Sequence, residues 1–480
     1  MRPVLSILTV LLAACAAAPQ VNPPDVEVTI PERWAAGKAG AAPADTLWWR
    51  TFDDETLTGL VAEALARNHN LQASAARVRA AAARAKIAGA PLYPNAGGRV
   101  SGSRRKQNFI GLPIPGSGND VLTSTSSSFG LALDVSWELD LWNRLGAGAS
   151  AALADAQAAR ADHTGARLSL AGQTAKLWFA AVEARRQVHL SEATVENLET
   201  SSEVVRERYR RGLRHALDLR RALSDLAGAE AVLQQRRLIL DGTRRQLEVL
   251  LGRYPAAALK PGSNLPELPE AIPDGLPADL VSRRPDLMAA ERRLAASHAR
   301  YKQARRALYP RISLTGSSGT SSRDLESLLD GDFSVWNLAG NVLQPLFQGG
   351  RIRGGIRLAA SQSEGAVSTY VQSVLSAFAE VETALAAESL LAKRQAALET
   401  ATEQALAARR LAEDRYAGGL VDLNTMLDAQ RGAYASESQL IAVRRQRLEN
   451  RVNLHLALGG GFAGPPGTAS TTSTTQTEGL

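Results

Sequence analysis

The sequence predicts a mainly α-helical protein with a transmembrane β-barrel, in which long coiled-coil helices accompany four membrane strands. Apolar residues recur at intervals of three and four over very long stretches, as in a coiled-coil seam. Residues 129–142 alternate large apolar side chains with small or acidic ones, as a strand with one apolar face does. The first half of the chain also recurs in the second, so each element is expected twice.

The repeat is visible in short segments. Arg-Tyr-Arg-Arg-Gly-Leu at 208–213 recurs 207 residues later as Arg-Tyr-Ala-Gly-Gly-Leu at 415–420, and Leu-Tyr-Pro at 92–94 recurs at 308–310. The proline-rich stretch 255–285 between the halves cannot be a continuous helix. Each half is expected to contain a helix, a strand pair, a very long helix, a turn and a last helix.

The long helices are predicted from their apolar stripes. The seam positions are Leu168, Ala171, Ala175, Trp178 and Val182 in the first half, and Val371, Val374, Phe378, Val381 and Leu385 in the second. From about residue 149 to 211 the pattern allows one helix of roughly 90 Å, at 1.5 Å per residue. Gly212 and Gly419 are expected to end the long helices, and new helices then run to the glycines at 252 and 459, which gives antiparallel hairpins. A coiled-coil rod without a channel would carry the same stripes.

The strand at 129–142 is long enough for a tilted membrane strand of about 9–11 residues with an extension beyond the bilayer. Taken alone, it also fits a soluble antiparallel sheet. Partner strands are predicted at 97–106, 311–320 and 333–347, and loops rich in Gly, Pro or Ser at 111–128 and 316–322.

Four strands cannot close a barrel, and open strand edges are not tolerated in lipid. Two chains would give an interior filled by side chains. Three chains are the smallest assembly expected to leave a water-filled lumen. The prediction is therefore a homotrimer with a 12-strand β-barrel and a 12-helix α-barrel.

The N-terminus reads as a secretory signal. Met1-Arg2 is basic, and the apolar stretch 4–12 is too short to span a bilayer as a helix. Leu12-Ala13-Ala14-Cys15 resembles a bacterial lipobox, which implies a covalent lipid of the N-acyl diglyceride type on Cys15, the single cysteine. Cleavage after an Ala-x-Ala site, leaving an idle thiol, is the alternative. Ala16 is not aspartate, so the signal that retains such lipoproteins in the inner membrane is missing.

Several other functions are not expected. The net charge is +7, but arginines alternate with acidic residues, as at 206–208 and 413–415, which is typical of a solvated helix face and not of a nucleic-acid site. The histidines form no metal-spaced pair, and no P-loop or G-x-S-x-G elbow occurs. Residues 146–151 approximate a G-x-G-x-x-A dinucleotide motif, but they follow an alternating strand and not a buried parallel one. These glycines are expected to turn the chain from strand to helix. No enzyme activity, metal or other cofactor is expected.

The sequence resembles the TolC-like outer-membrane efflux factor family, in its lipoprotein (NodT-type) branch. The residues that carry the resemblance are Cys15, Leu92-Tyr93-Pro94, Trp137-Glu138-Leu139-Asp140-Leu141-Trp142, Arg283-Arg284-Pro285-Asp286, Gln344-Pro345-Leu346-Phe347 with Gly349-Gly350, and Leu427-Asp428-Ala429-Gln430. The expected organisation is a signal peptide at 1–14, a lipid-anchored N-terminal segment at 15–55, a first efflux-protein repeat at 56–265, a second at 266–460 and a disordered tail at 461–480.

The resemblance implies an outer-membrane channel of a tripartite efflux system, a passive duct across outer membrane and periplasm for drugs, toxic compounds or metals. It implies a homotrimer in outer-membrane lipid that docks to a periplasmic adaptor and an inner-membrane transporter of the RND type. A periplasmic adaptor, which should carry one hairpin and no tandem repeat, is an alternative. A structural coiled-coil lipoprotein, which should lack the alternating strands, is another.

The resemblance also implies site residues. In the family, the turn before the last helix lines a periplasmic aperture, where acidic side chains attract cations and help to hold the tube closed. Asp422 matches that turn and is the candidate gate residue, although it could equally cap the last helix, and the two roles are compatible. Its counterpart in the first half is His215, so that turn lacks the carboxylate. Adaptor docking is expected at the hairpin tips, marked by Gly212, Leu213, Gly419 and Leu420.

Overall fold

The computed structural model describes residues 34–36, 47–109, 122–269 and 283–460. Cys15, the predicted signal peptide at 1–14 and the predicted disordered tail at 461–480 lie outside the described residues. The helices are α1 (Glu55–Arg67), α2 (His69–Gly89), α3 (Arg144–Arg210), α4 (Ala216–Leu250), α5 (Pro285–Arg306), α6 (Arg351–Ala417) and α7 (Leu423–Ala457). The strands are β1 (Asn95–Phe109), β2 (Leu122–Leu139), β3 (Arg311–Ser322) and β4 (Ser334–Leu343). None of the helices in the described part of the chain combines the length and apolarity needed to cross a membrane.

The two halves of the chain repeat the same helices. α3 and α6 contain 67 residues each, and α4 and α7 contain 35 each. Both bounds of these hairpin helices are displaced by the same 207 residues between the halves. The 207-residue offset of the Arg-Tyr motif therefore holds for the complete hairpins, and each half has the expected order of helix, strand pair, long helix, turn and helix.

The chain forms two compact units. Within the described residues, the first comprises 79–109, 122–159 and 291–369, and the second comprises 34–36, 47–78, 160–269, 283–290 and 370–460. All four strands belong to the first unit, and both hairpin turns belong to the second.

The first unit contains an antiparallel sheet in the order β1-β2-β3-β4. Residues 122–128, predicted as part of a loop, belong to β2, so that prediction was wrong. This serine- and threonine-rich run lacks apolar alternation, but its backbone pairs with β1, for example Thr125 with Lys106. β3 likewise continues to Ser322, which pairs with Phe129, so the loop predicted at 316–322 was also wrong. Both β2 and β3 are longer than predicted because their backbones pair with neighbouring strands, and the residue composition of these segments does not indicate that pairing.

Two strands end earlier than predicted. β2 stops at Leu139 instead of residue 142, because Asp140 turns the chain into α3: its carboxylate accepts hydrogen bonds from the amides of Leu145 (3.0 Å) and Gly146 (2.7 Å). β4 stops at residue 343 instead of 347, ahead of Pro345, which has no amide hydrogen to donate to a ladder.

The turn into α3 also differs from the prediction. α3 begins at Arg144, so Gly146 and Gly148 lie inside the helix and do not form the turn. Asn143 forms it, with φ 57°. Inside the helix the two glycines lie close to neighbouring side chains: a Cβ at 146 would meet the Asn143 side chain, and one at 148 would lie 2.6 Å from Nε2 of Gln303.

The second unit has an aromatic core, to which residues 48–52 contribute together with α3. Trp48 and Phe52 are fully buried, and the Phe52 ring lies 5.1 Å from that of Phe179 on α3. Asp54 caps α1 with one carboxylate oxygen and accepts the indole N–H of Trp178 with the other at 2.7 Å. These contacts attach the segment that follows the N-terminus to the long helix of the first hairpin.

Each hairpin is held by contacts between its own two helices. In the first, Val188 of α3 packs with Leu233 and Leu240 of α4. In the second, Glu388 of α6 binds Arg447 (3.3 Å) and Arg451 (3.0 Å) of α7. In each hairpin the contacting residues lie at similar distances along the chain before and after the turn. This is the arrangement of antiparallel helices, so the predicted hairpins are confirmed.

Candidate gate at the hairpin tips and candidate pore wall in the sheet

The two hairpins end in turns of the same conformation. Gly212 and Gly419 have φ 72° and 73°, a left-handed geometry that favours glycine. The next amides, of Leu213 and Leu420, donate to carbonyls in the last turn of the preceding helix at 2.9 and 2.8 Å. These leucine side chains are 68% and 77% exposed. The four residues predicted at the tips therefore lie there, and each tip presents a leucine to solvent.

Asp422 caps the last helix, α7. Its carboxylate accepts the amide hydrogen of Thr425 at 2.8 Å, and its side chain is exposed. The hydrogen bonds from Thr425, with a smaller contribution from the charge of Arg214, hold the pKa of Asp422 below its ordinary value of 3.8. His215, at the equivalent position before α4, makes no capping hydrogen bond. The capping role is thus seen directly, and Asp422 is also an exposed, ionised carboxylate at the tip.

Arg208 joins the two hairpins at their tips. Its guanidinium donates to the backbone carbonyls of Tyr416 (3.2 Å) and Ala417 (3.0 Å), which end α6, and lies over the Tyr416 ring at 4.8 Å. Arg214 approaches the same ring at 5.2 Å. Tyr416 is 3% exposed, whereas its repeat counterpart Tyr209 is 42% exposed. The tips are therefore locally asymmetric although their turns match.

Arg431 forms a second connection between the hairpins. Its guanidinium binds Asp225 of α4 at 2.6 Å and Asp428, one turn back on α7, at 2.9 Å. Asp225 belongs to the first hairpin and the other two residues to the second. The hairpins cannot separate here without breaking the pair between Arg431 and Asp225.

A polar cluster lies beside this ion pair. Gln430, almost fully buried, donates to Glu413 of α6 at 2.9 Å. Asn197 of α3 donates to the same carboxylate at 3.1 Å and to the Tyr434 hydroxyl at 2.6 Å. Because α3 and the α6–α7 pair belong to different hairpins, this cluster also couples their relative position.

The sheet of the first unit has one apolar face. In an antiparallel ladder, directly paired residues share a face. Val100 pairs with Leu131 and Leu314 pairs with Trp137, so both lie on the same face as the odd-numbered residues of β2. This apolar face carries Val100, Phe129, Leu131, Leu133, Val135, Trp137, Leu139, Ile312, Leu314, Trp336, Leu338 and Val342. Most of these side chains are at least partly exposed in the single chain, as a surface that meets lipid would be.

The opposite, polar face carries mainly charged, hydroxyl and amide side chains. Its members include Arg99, Ser101, Asp134, Ser136, Glu138, Ser313, Thr315, Ser317, Asn337 and Asn341. Arg99 and Asp134 form an ion pair across β1 and β2 at 3.1 Å. Such a face can line an aqueous lumen.

Two histidines make contacts that hold neighbouring elements together. His163 bonds the Ser74 hydroxyl at 2.8 Å, and burial, with the charge of Arg167, lowers the pKa of His163. His455 stacks on Trp48 with ring centres 5.1 Å apart. Within the described ranges, no group of three or more His, Cys, Asp or Glu side chains is placed to hold a metal ion.

Sequence reasoning missed Arg208, Asp225 and Arg431. The spacing of Asp428 and Arg431 does indicate an ion pair on one helix surface. Nothing in the sequence indicates Asp225 as the other partner, 206 residues earlier. The cross-hairpin contacts depend on how the two repeats pack, which no local pattern reports.

The protein families, characterised proteins and solved structures that this chain resembles are outer-membrane efflux proteins and channels. The family model for outer membrane efflux proteins matches residues 60–253 and 276–460. The chain is 34% identical over 460 residues to outer membrane protein OprJ of Pseudomonas aeruginosa, covering 95% of each chain. It is 32% identical over 471 residues to the pyoverdine export outer membrane protein OpmQ of Pseudomonas putida, covering 95% of this chain and 96% of the relative. The crystal structure of the Campylobacter jejuni CmeC outer membrane channel superposes with a TM-score of 0.85 at 26% identity, covering 93% of this chain and 95% of CmeC.

Proposed function

The chain belongs to the outer membrane efflux protein family, and we propose that it is the outer-membrane channel of a tripartite efflux system, a passive duct for small molecules. The observation that carries the proposal is the two-faced sheet. Its apolar face suits lipid and its polar face suits water, and within the described residues β1 and β4 each have one unpaired edge. Such a sheet is stable in a bilayer only as part of a closed barrel.

A homotrimer would supply that closure. Three copies of the sheet give a 12-strand barrel, in which β1 of one protomer pairs with β4 of the next. The helices α3 and α6 would each reach about 100 Å at 1.5 Å per residue, enough to continue the duct through the periplasm as a 12-helix tube. Drugs, other toxic compounds or metal ions are the proposed cargo.

The hairpin tips are the proposed docking surface for a periplasmic adaptor. Leu213 and Leu420 are apolar, exposed and held on turns of matching conformation, so a trimer would present six such tips. The sequence carries no nucleotide-binding motif. The energy for export is therefore assigned to an inner-membrane partner, for which the family resemblance favours an RND-type transporter.

A lipid on Cys15 is the proposed membrane anchor of the N-terminal segment. The described part of that segment is firmly attached to the second unit. Trp34 is buried against Phe378, with ring centres 5.9 Å apart. The amides of Ala35 and Ala36 donate to the Glu382 carboxylate at 2.7 and 3.0 Å. These contacts would hold the anchored segment against α6.

Asp422 is the proposed gate carboxylate. Three symmetry-related copies at the tips would form a negative ring that attracts cations into the aperture. The lowered pKa of Asp422 means that the ring is charged at neutral pH.

Replacing Asp422 with alanine should raise single-channel conductance in a planar bilayer or weaken block by a divalent cation added on the periplasmic side. The reason is the loss of three negative charges at the narrowest point. Asp422→Asn is the matched control, because asparagine retains the helix cap and removes only the charge. The gate assignment predicts that both variants behave alike.

If only the alanine variant changes the conductance, the role of Asp422 is to cap α7. If neither variant changes conductance or block, Asp422 is not at the gate. Ion-conducting channels formed by the unmodified protein are the reference for both variants, and their absence would contradict the proposed function itself.

A further inference from the structure

Two cations occupy the loop end of β1, on its apolar face. The helices join the sheet at residues 95, 139, 311 and 343, so the segments 110–121 and 323–333 connect the strands at the opposite end. With the helices in the periplasm, this loop end faces outward. Arg104 and Lys106 lie on β1 toward that end.

The strand register places both side chains on the apolar face. Val100 pairs with Leu131, which lies on that face, and every second residue of β1 from there points the same way. Arg104 pairs with Ser127 and Lys106 with Thr125, in continuous register. Arg105, between them, therefore points to the polar face.

The apolar band ends just before these cations. Phe129 is its last large apolar residue on β2 and pairs with Gly102. At about 3.4 Å per residue, Arg104 lies roughly 7 Å and Lys106 roughly 14 Å farther along β1. In a strand tilted by about 45°, these distances correspond to the headgroup layer above the hydrocarbon core.

Neither cation has an acidic partner within the described part of the chain. The residues paired with them are a serine and a threonine, and no described carboxylate forms an ion pair with either. Arg99 on the polar face is different, because Asp134 neutralises it at 3.1 Å. Among the described residues nothing neutralises these two cations, and they lie on an outward-facing surface next to a lipid-facing band, where an external anion can reach them.

We propose that Arg104 and Lys106 bind the phosphate groups of anionic lipids in the outer leaflet. A guanidinium can hold a phosphate through two parallel N–H···O bonds, and a lysine ammonium adds a second positive charge. Closing the barrel pairs the edges of β1 and β4 and covers neither face of the sheet. The side chains of Arg104 and Lys106 therefore stay accessible in the trimer. The proposal rests on the proposed function, since it needs the apolar face to contact lipid.

A second source of negative charge is the neighbouring protomer. The β3–β4 connection carries Asp324, Glu326, Asp330 and Asp332, and β4 would adjoin β1 of the next copy. If that connection neutralised Arg104 and Lys106, the pair would stabilise the trimer instead of binding lipid. The experiment must separate these two results.

The test reconstitutes the full chain into vesicles of equal parts phosphatidylglycerol and phosphatidylcholine with identical acyl chains. After gentle detergent extraction, native mass spectrometry counts each lipid retained on the trimer. Retained lipid should be enriched in phosphatidylglycerol, and Arg104→Gln and Lys106→Gln should each lower the enrichment by roughly fivefold, the factor expected for one basic residue at a membrane surface. High salt should weaken the enrichment.

Arg105→Gln is the matched control, one residue away on the polar face, and should leave lipid enrichment unchanged. Equal enrichment in all variants, with trimers and conductance intact, would overturn the lipid proposal and leave the channel assignment standing. Loss of trimer in lipid-free detergent on replacing Arg104 or Lys106 would also overturn it, in favour of the neighbouring protomer. If the unmodified chain formed neither a trimer nor a channel, the proposed function itself would be contradicted.

Discussion

An arginine in place of Leu133 should sharply reduce the amount of folded trimer in the outer membrane. Leu133 lies near the middle of the apolar band, between Phe129 and Leu139 on β2. A charged side chain at the bilayer midplane of a membrane barrel costs about 2–4 kcal/mol. The trimer would carry this cost three times. The measurement is the heat-resistant trimer band from isolated outer membranes, compared with total expressed protein.

Ser136→Arg is the matched control for this prediction. Ser136 is on the same strand but on the polar face, opposite Thr315. An arginine there would enter water and should leave the trimer yield near that of the unmodified protein, while shifting the channel toward anion selectivity. Equal tolerance of arginine at 133 and 136 would contradict the assignment of the faces, because a soluble sheet would not distinguish them in this way.

Replacing Arg431 with serine should increase the conductance of the channel in a planar bilayer several-fold. Arg431 connects α7 to Asp225 of α4, so in a trimer three such pairs would restrain the hairpins at the tips. Opening an aperture formed by these hairpins requires one to move past the other, which the ion pair opposes. An exposed pair contributes only about 0–1 kcal/mol, so folding should be little affected while the closed state loses three restraints. Planar-bilayer conductance measures the effect, and Asp225→Asn should reproduce it.

Arg444→Ser is the control for the loss of an arginine from α7. Arg444 binds Glu399 of α6 at 3.1 Å, and the two residues belong to the same hairpin. Its removal therefore breaks an ion pair of similar exposure without releasing one hairpin from the other. If Arg444→Ser opened the channel as much as Arg431→Ser, a general loosening of α7 and not the connection between hairpins would explain the current.

The elements that sequence predicted best are those that local chemistry determines. Gly212 and Gly419 end the long helices because a left-handed turn favours a residue without a side chain. The odd-numbered apolar residues of β2 specify a two-faced strand by their alternation alone. The apolar stripe from Leu168 to Val182 is buried as expected.

The parts that sequence did not predict depend on partners distant in the chain. Residues 122–128 are strand because β1 pairs with them, although their own composition indicates a loop. Asn143 takes the turn that the neighbouring glycines were expected to make, because α3 already begins at Arg144 and the glycines lie inside it. The connection between Arg431 and Asp225 spans 206 residues and appears only once the two repeats are packed together.

The central claim is that the strands build a membrane-embedded trimer. The most direct test is the native mass of the complex extracted with detergent from outer membranes of a Cys15→Ala variant, in which no lipid anchor can retain the protein. The account predicts a detergent-requiring species with the mass of three chains. A monomer released without detergent would contradict it, since the alternating strands would then not form a barrel.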